Sequence, residues 1–193
     1  MLNVKNNLFP EHYLITPQTE RADFNEFIAR LANALLSGIK LVQLRVKTVD
    51  AETYVELAEH VLRLCHRHHA RLVLNGPNAA TGSITADGIH LSSARLMACT
   101  ARPVASPTLV SAACHTLDEL MHAERIGVDF VTLSPVLATA SHPEAKPMGW
   151  ESFEKLTARV SVPIYSLGGM TREQTTLAQS HGAYGIAAIG GLW

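Results

Sequence analysis

Short apolar runs alternate with longer amphipathic segments along nearly the whole chain, and this alternation limits the possible folds more than any other feature. The apolar runs are almost continuous, which is typical of parallel strands covered by helices. Amphipathic spacing predicts helices between them. The predicted strands are 13–16, 41–46, 71–75, 88–91, 109–114, 130–136, 162–167 and 185–189. The predicted helices are 24–36, 54–65, 116–126, 151–159 and 171–181.

Eight strands that alternate with helices favour an α/β fold in which the sheet closes on itself, the (β/α)8 or TIM barrel. An open doubly wound sheet normally has fewer strands and a glycine-rich first turn, whereas Pro17 and Gln18 follow the first strand here. The short connection 76–87 leaves little room for a helix, and Trp193 comes directly after strand 8. We therefore predict a compact barrel with abbreviated helices after strand 3 and strand 8, and a single domain over residues 1–193.

Composition and charge argue against several classes of partner. Charged residues make up 17% of the 193 residues, the formal net charge is -1 and no basic block is present, so we expect neither nucleic acid nor a membrane as a partner. No apolar run reaches the ~18 residues needed to cross a bilayer, and residues 1–10 lack the apolar core of a signal peptide. The three cysteines have no Cys-x-x-Cys spacing. These features predict a cytoplasmic protein with reduced thiols.

Polar residues follow the second and third predicted strands, at the end of the barrel where ligands of this fold bind. Gln43, Arg45 and Lys47 alternate with other residues, so all three point to the same side of strand 2. Two cations and an amide that face one way suit a phosphate or pyrophosphate; the alternative is a solvated strand edge. Asn75 follows strand 3 with no carboxylate beside it. A lone strand histidine such as His90 is more typical of a core than of a catalytic site.

The fifth strand runs into Cys114, His115 and Thr116, directly before an amphipathic helix. An imidazole at such a strand end suits general acid–base catalysis, so His115 is the candidate catalytic residue. The alternative is that its side chain caps Thr116 and the helix. The adjacent Cys114 and His115 are one arrangement used for a Cys/His catalytic pair, but a small strand-end residue is the favoured interpretation of Cys114.

The loops after the last strands suit an anionic ligand. The loop after strand 6 is long and rich in hydroxyl groups, and its Thr139, Ser141 and His142 can hydrogen-bond an anion. Gly168–Gly169 and Gly190–Gly191 follow strands 7 and 8, where barrels often bind a phosphate group. The loops therefore predict a phosphate site.

Two other kinds of catalytic site find little support. The run from His66 to His69 contains ligand-type side chains, but it follows a helical stripe and is typical of a solvated helix C-terminus. We therefore predict no metal site. Ser111 has no base at triad spacing, so nucleophilic catalysis is not expected either.

Taken in order, these motifs resemble those of the thiamine-phosphate synthase/TenI family. They are Gln-Leu-Arg-x-Lys (43–47), Asn75, Asp-Gly-Ile-His-Leu (87–91), Cys-His-Thr (114–116), Thr-x-Ser-His (139–142) and Leu-Gly-Gly-Met (167–170). Each motif is weak by itself, whereas the ordered set is specific and spans residues 13–193. The stretches IHLSSARLM, SHPEAKPMGW and HGAYGIAAIGGLW are closer still to TenI-like domains at the C-terminus of some MutT-type Nudix hydrolases.

The resemblance implies a TIM barrel with a thiazole-phosphate site. The synthase of this family joins a hydroxymethylpyrimidine diphosphate to that thiazole and releases pyrophosphate with Mg²⁺. Arg45, Lys47 and Asn75 match its pyrophosphate ligands, and Gln43 matches a contact on the pyrimidine side. The positions that match contacts near the thiazole phosphate are Thr139, Ser141, Gly168, Gly169 and the backbone of Ala188 and Ile189.

The departures from the synthase pattern concern the metal. The synthase has one acid after the strand-3 Asn and another after strand 4, but here Gly76 takes the first position and Ala94 or Arg95 the second. A hard dication needs oxygen anions as ligands, so we expect no cofactor, and Mg²⁺ only if the synthase alternative holds. His115 falls where the histidine of TenI, a thiazole tautomerase, is expected.

The resemblance therefore favours a TenI-like protein that binds a thiazole phosphate or a similar small phosphorylated ligand and uses His115 for tautomerase-type acid–base chemistry. The alternative within the family is thiamine-phosphate synthase (thiamine-phosphate diphosphorylase). An alternative of another class is a non-catalytic binding or regulatory module. As further partners we expect a second copy in a homo-oligomer or a linked Nudix hydrolase.

Overall fold

Parallel strands form a closed ring in a computed structural model that describes residues 8–76, 84–139 and 143–193. The ring follows chain order, and its last strand pairs with the first, with Tyr13 beside Ala187. The strands of these described residues are β1 His12–Ile15, β2 Leu41–Leu44, β3 Arg71–Leu74, β4 Gly88–Leu91, β5 Leu109–Cys114, β6 Phe130–Leu133, β7 Ile164–Leu167 and β8 Gly185–Ala188. The predicted TIM barrel is confirmed.

Helices cover the outside of the ring. They are α1 Phe24–Leu36, α2 Ala51–Arg67, α3 Ser93–Ala98, α4 Leu117–Arg125, α5 Gly149–Thr157 and α6 Thr175–Ser180, with 3₁₀ turns at Arg21–Asp23 and Arg172–Gln174. Residues 75–76 and 84–87, the described part of the β3–β4 connection, contain no helix, and residues 189–193 form a turn after β8. Within the described ranges, no helix is long and apolar enough to cross a membrane.

Local capping explains where two of the helices begin. Asp50 accepts a hydrogen bond from the backbone N–H of Thr53 over 2.8 Å, so α2 begins three residues before the predicted helix. Ser92 caps α3 in the same way through the N–H of Arg95. At six residues, α3 is too short for its apolar spacing to identify it.

Side chains of the strands alternate between two cores. Leu14, Val42 and Leu72 face outward and pack against the helices. Tyr13, Phe130 and Tyr165 face inward, and the Tyr13 ring centroid lies 5.2 Å from that of Phe130 and 5.5 Å from that of Tyr165. Phe9 and Tyr184, which precede β1 and β8, pack on this aromatic cluster. The cluster therefore fills the end of the barrel where the strands begin, and the opposite end is the one left for a ligand.

Strand β2 ends earlier than predicted, because the residues after Leu44 hydrogen-bond to side chains and turn into a loop. The N–H of Arg45 donates to Thr16 Oγ1 over 3.0 Å, and the N–H of Lys47 donates to Gln18 Oε1 over 2.8 Å. Both cations therefore lie on the loop after β2 instead of within the strand.

Candidate functional site

A cleft of about 1100 Å³ opens where the strands end. It brings together most of the residues that the sequence singled out: Gln43, Arg45, Lys47, Asn75, His115, Thr139, Gly168, Gly169, Ala188 and Ile189. Ser141 and His142 lie outside the described residues. The cleft is also lined by residues that sequence reasoning did not single out, among them Ser92, Ser93, Thr132, Ser134 and Thr171.

Arg45 and Lys47 form the cationic side of this cleft. Arg45 is half-buried, and burial lowers the pKa of its guanidinium. Burial and the nearby charge of Arg45 lower the pKa of Lys47. Among the residues that the structure describes, no ion pair joins either cation to a carboxylate. Two neighbouring cations without an acidic partner in the described protein are suited to an anionic ligand.

Gln43 and Asn75, both predicted as ligand contacts, are hydrogen-bonded to each other. Nδ2 of Asn75 donates to Oε1 of Gln43 over 2.8 Å, and Nε2 of Gln43 donates to the hydroxyl of Tyr13 over the same distance. All three side chains are buried. The two amides are thus held in fixed positions at the floor of the cleft, which is what a recognition site requires.

His90 and Ser111 extend this network, a pairing that sequence reasoning missed. Nδ1 of His90 lies 2.8 Å from Oγ of Ser111, which lies 3.4 Å from the Tyr13 hydroxyl. The two residues are direct neighbours in the β4–β5 register. Each is the third residue of its strand, and this shared position is the sequence signal from which the pairing could have been predicted. Ser111 therefore has a base beside it, contrary to the expectation from sequence spacing.

This Ser–His pair is nevertheless unsuited to nucleophilic catalysis. Burial lowers the pKa of His90 to about 3, helped by the positive charges of Arg95, Arg45 and Lys47. Ser111 is completely buried, so a substrate cannot reach its hydroxyl. The core interpretation of His90 agrees with this environment, although its ring also borders the cleft.

His115 projects into the cleft just after β5. Its Nδ1 lies 2.8 Å from the backbone oxygen of Ser134, which can only accept, so Nδ1 carries a proton and the neutral ring is the tautomer with its lone pair on Nε2. The helix cap is made by other groups, because Thr116 and Glu119 form a reciprocal capping box. The capping alternative for the His115 ring therefore does not hold, and the ring instead borders the cleft, bonded to the loop after β6.

The thiol beside His115 is excluded as a nucleophile. Cys114 is completely buried and packs in the outer core. Burial raises the pKa of its thiol to about 12, so the thiolate that a Cys/His pair needs is not formed near neutral pH.

The loops after β7 and β8 form the other side of the cleft. Gly168 and Gly169 have φ angles of 102° and 68°, in the left-handed region. A Cβ atom on Gly169 would lie 2.7 Å from the backbone oxygen of Ala138, and one on Gly191 would lie 2.2 Å from that of Met170. Glycine is therefore needed for the close packing of these loops, which brings bare backbone to the cleft.

The residues present do not fit Mg²⁺. No carboxylate lines the cleft among the described residues, and no group of three acidic, His or Cys side chains there could hold a metal. In the sequence, residues 77–83 and 140–142 contain neither Asp nor Glu. Nearby Glu119 already accepts hydrogen bonds from Ser93 and from the backbone of His115 and Thr116. The ligand set that a hard dication prefers is missing.

The closed ring of strands and the cleft at its C-terminal ends define a TIM-barrel protein whose cleft is lined by two cations, Arg45 and Lys47. Comparison with known families is more specific. The chain belongs to the thiamine monophosphate synthase family, whose model matches residues 12–192.

Curated relatives match over almost the same span. The chain is 35% identical over 181 residues to a putative thiamine-phosphate synthase 2 of Aquifex aeolicus, covering 93% of this chain and 96% of the relative. It is 33% identical over 182 residues to a putative thiamine-phosphate synthase of Geobacter sulfurreducens, covering 93% and 85%.

Solved structures share the fold. A thiamine phosphate pyrophosphorylase from Pyrococcus furiosus superposes with a TM-score of 0.74 at 21% identity, over 93% of this chain and 85% of that one. An N-acetylmannosamine-6-phosphate 2-epimerase from Clostridium perfringens gives a TM-score of 0.60 at 18% identity, over 93% and 86%. At these identities the likeness concerns the barrel alone.

Proposed function

We propose that this chain catalyses the thiamine-phosphate synthase reaction, which joins a pyrimidine diphosphate to a thiazole phosphate and releases pyrophosphate. The relatives reported above are named for this synthase, so they favour it over the TenI-like tautomerase expected from the sequence. The fold agrees with both activities, and the choice between them depends on the site.

The observation that carries the proposal is that one cleft has two separate sides suited to anions. The cations Arg45 and Lys47 follow β2, whereas the glycine turns follow β7 and β8. In the ring, β1 separates β8 from β2, and β7 lies one strand further away. A synthase must hold a diphosphate and a monophosphate at the same time, while a tautomerase holds one phosphate only. Two sides of this kind are therefore expected of the synthase.

Each group of residues then has a separate task. Arg45 and Lys47 bind the diphosphate and stabilise the negative charge that develops as pyrophosphate leaves. Gln43 and Asn75, fixed by their mutual hydrogen bond and by Tyr13, orient the pyrimidine end. The glycine turns allow the thiazole phosphate to approach the backbone closely. No step is assigned to Mg²⁺, because the residues do not fit it.

The test is formation of thiamine phosphate by purified protein given both substrates. We expect Arg45→Met to lower kcat/KM by about 10²-fold, as for loss of one electrostatic contact to a leaving charge. Arg63→Met is the matched control, because Arg63 is exposed on α2, where it pairs with Glu59 at 3.8 Å. Equal rates for Arg45→Met and Arg63→Met would remove Arg45 from the reaction.

A second candidate, the thiazole tautomerase, is supported by the orientation of His115. With Nδ1 bonded to the Ser134 oxygen, the free Nε2 can take a proton from a bound thiazole. Deuterium uptake from D₂O into a thiazole phosphate measures this activity. Uptake by the wild type that His115→Ala abolishes, together with no thiamine phosphate, would favour the tautomerase. Binding of thiazole phosphate without either reaction would favour a non-catalytic module.

The finer expectations from the sequence remain predictions. They are closeness to domains fused to Nudix hydrolases, a Nudix or homo-oligomeric partner, and a cytoplasmic location. Size-exclusion chromatography with light scattering would test self-association.

A further inference from the structure

The position after Asn75 has no room for a side chain. A Cβ atom on Gly76 would lie 2.2 Å from Cζ of Tyr54, far inside van der Waals contact. The Tyr54 ring cannot move aside easily, because it is completely buried and its hydroxyl donates to the backbone oxygen of Leu44 over 3.1 Å. A carboxylate is therefore excluded at residue 76 by the packing of the barrel as well as by the sequence.

A cation lies near the cleft after β4. Ala94 borders the cleft, and Arg95 follows it in α3. Arg95 is half-buried, and its Nη1 lies 3.4 Å from the backbone oxygen of His90. The guanidinium is thus held against β4 at His90, a residue that borders the cleft.

Arg95, Arg45 and Lys47 act on the same place. Arg45 and Lys47 line the cleft, and Arg95 is hydrogen-bonded to the backbone of His90, which lines it as well. The positive charges of all three lower the pKa of His90. In the described part of the chain, none of the three belongs to an ion pair. Three positive charges in and beside one cleft repel a divalent cation and attract a polyanion.

We infer that Arg45, Lys47 and Arg95 bind the diphosphate group as a fixed set of cations in place of a metal ion, so that binding is independent of Mg²⁺. The inference rests on the proposed function only in taking a diphosphate as the ligand. It adds Arg95 to the site and assigns to side chains the neutralisation that a metal would otherwise provide.

Calorimetric titration with inorganic pyrophosphate tests this directly, once in EDTA and once in Mg²⁺. Wild-type protein should bind pyrophosphate in EDTA, and added Mg²⁺ should not increase the affinity. Arg95→Met should weaken binding in EDTA about tenfold, as expected for the loss of one charged contact. Arg63→Met, an exposed Arg of α2, should bind like the wild type.

A second variant keeps the inference testable if Arg95→Met does not fold. Ala94 is exposed and borders the cleft, so Ala94→Asp adds a negative charge without filling a core position. It should also weaken pyrophosphate binding in EDTA. Unchanged or tighter binding by Ala94→Asp, or binding by the wild type only when Mg²⁺ is present, would overturn the inference.

The outcome separates this inference from the proposed function. Pyrophosphate binding in EDTA without thiamine phosphate formation would leave the cation set standing and remove the synthase activity. Thiamine phosphate formation together with strictly Mg²⁺-dependent pyrophosphate binding would support the synthase activity and overturn the inference about the cations.

Discussion

The carboxamide of Asn75 donates a hydrogen bond to the carboxamide of Gln43 over 2.8 Å, and this contact ties the end of β3 to β2 beneath the two cations. Gln43 in turn donates to the hydroxyl of Tyr13, a residue of the aromatic cluster. The hydrogen-bond network at the floor of the site is therefore continuous with the barrel core. A substitution in this network should change the stability of the fold.

Replacing Gln43 with Leu should lower the free energy of unfolding by about 1–3 kcal/mol, because buried polar groups of Tyr13 and Asn75 lose a partner. Urea denaturation followed by circular dichroism measures the change. Asn33→Ala, at an exposed position of α1, is the control and should stay within about 0.5 kcal/mol of the wild type. Equal stabilities of the two variants would show that the network contributes nothing.

His90 should make stability depend on pH. The folded-state pKa of His90 is lowered to about 3 from 6.5, so the unfolded chain takes up a proton first as pH falls. The contribution of His90 to the free energy of unfolding is fully present above pH 6.5. It is lost as pH falls from 6.5 toward 3, by at most about 1.4 kcal/mol per pH unit.

The comparison of wild type with His90→Gln isolates this effect, because the other titrating groups are shared. The difference in unfolding free energy should be constant above pH 7 and should shrink as pH falls through 6 and 5. Ring NMR of His90 provides an independent check and should show no titration between pH 5 and 7. Parallel stability curves for the two proteins would contradict the assignment.

Gly169 should tolerate alanine less well than Gly127 does. Both residues have positive φ angles, 68° and 76°, so both variants incur a backbone cost of about 1 kcal/mol. A Cβ atom on Gly169 also meets the backbone oxygen of Ala138 at 2.7 Å, whereas Gly127 faces open space.

Gly169→Ala should therefore lose at least about 1 kcal/mol more stability than Gly127→Ala. It should also bind thiazole phosphate more weakly, since the displaced turn borders the cleft. Thermal unfolding measures the stability of each variant, and calorimetric titration measures its affinity for thiazole phosphate. If both variants behave alike in both measurements, the contact with Ala138 does not constrain the loop.

The thiols should differ in reactivity. Burial raises the pKa of Cys65 and Cys114 to about 12, while Cys99 is only partly buried. At pH 8 the native protein should react with a disulfide reagent at Cys99 first, and Cys99→Ser should remove the fast phase. All three thiols should react together in urea. Fast reaction of three thiols in the native protein would show that the outer core opens readily.

The barrel could be predicted because the apolar runs and amphipathic segments indicate which faces of the strands and helices are buried. The ends of the strands could not, since they depend on partners distant in the chain, such as Thr16 for the N–H of Arg45. The six-residue α3 was missed for a related reason, because a single cap at Ser92 sets its start.

The candidate site was predicted as a set of residues but not as a network. Strand ends identified Gln43, Arg45, Asn75 and His115, because a barrel gathers such ends in one cleft. That Gln43 and Asn75 bond to each other, and that His90 meets Ser111, depends on the register between strands. The missing acid beside Asn75 was visible in the sequence, whereas the Tyr54 ring that fills its space was not.

The most direct measurement of the central claim is product analysis after mixing the protein with the pyrimidine diphosphate, thiazole phosphate and Mg²⁺. Mg²⁺ is included so that the result does not depend on whether side chains or a metal neutralise the diphosphate. If the cleft holds a diphosphate and a monophosphate together, thiamine phosphate and pyrophosphate should appear in equal amounts, and Arg45→Met should slow both alike. A wild-type protein that binds both substrates but forms no thiamine phosphate would contradict the claim.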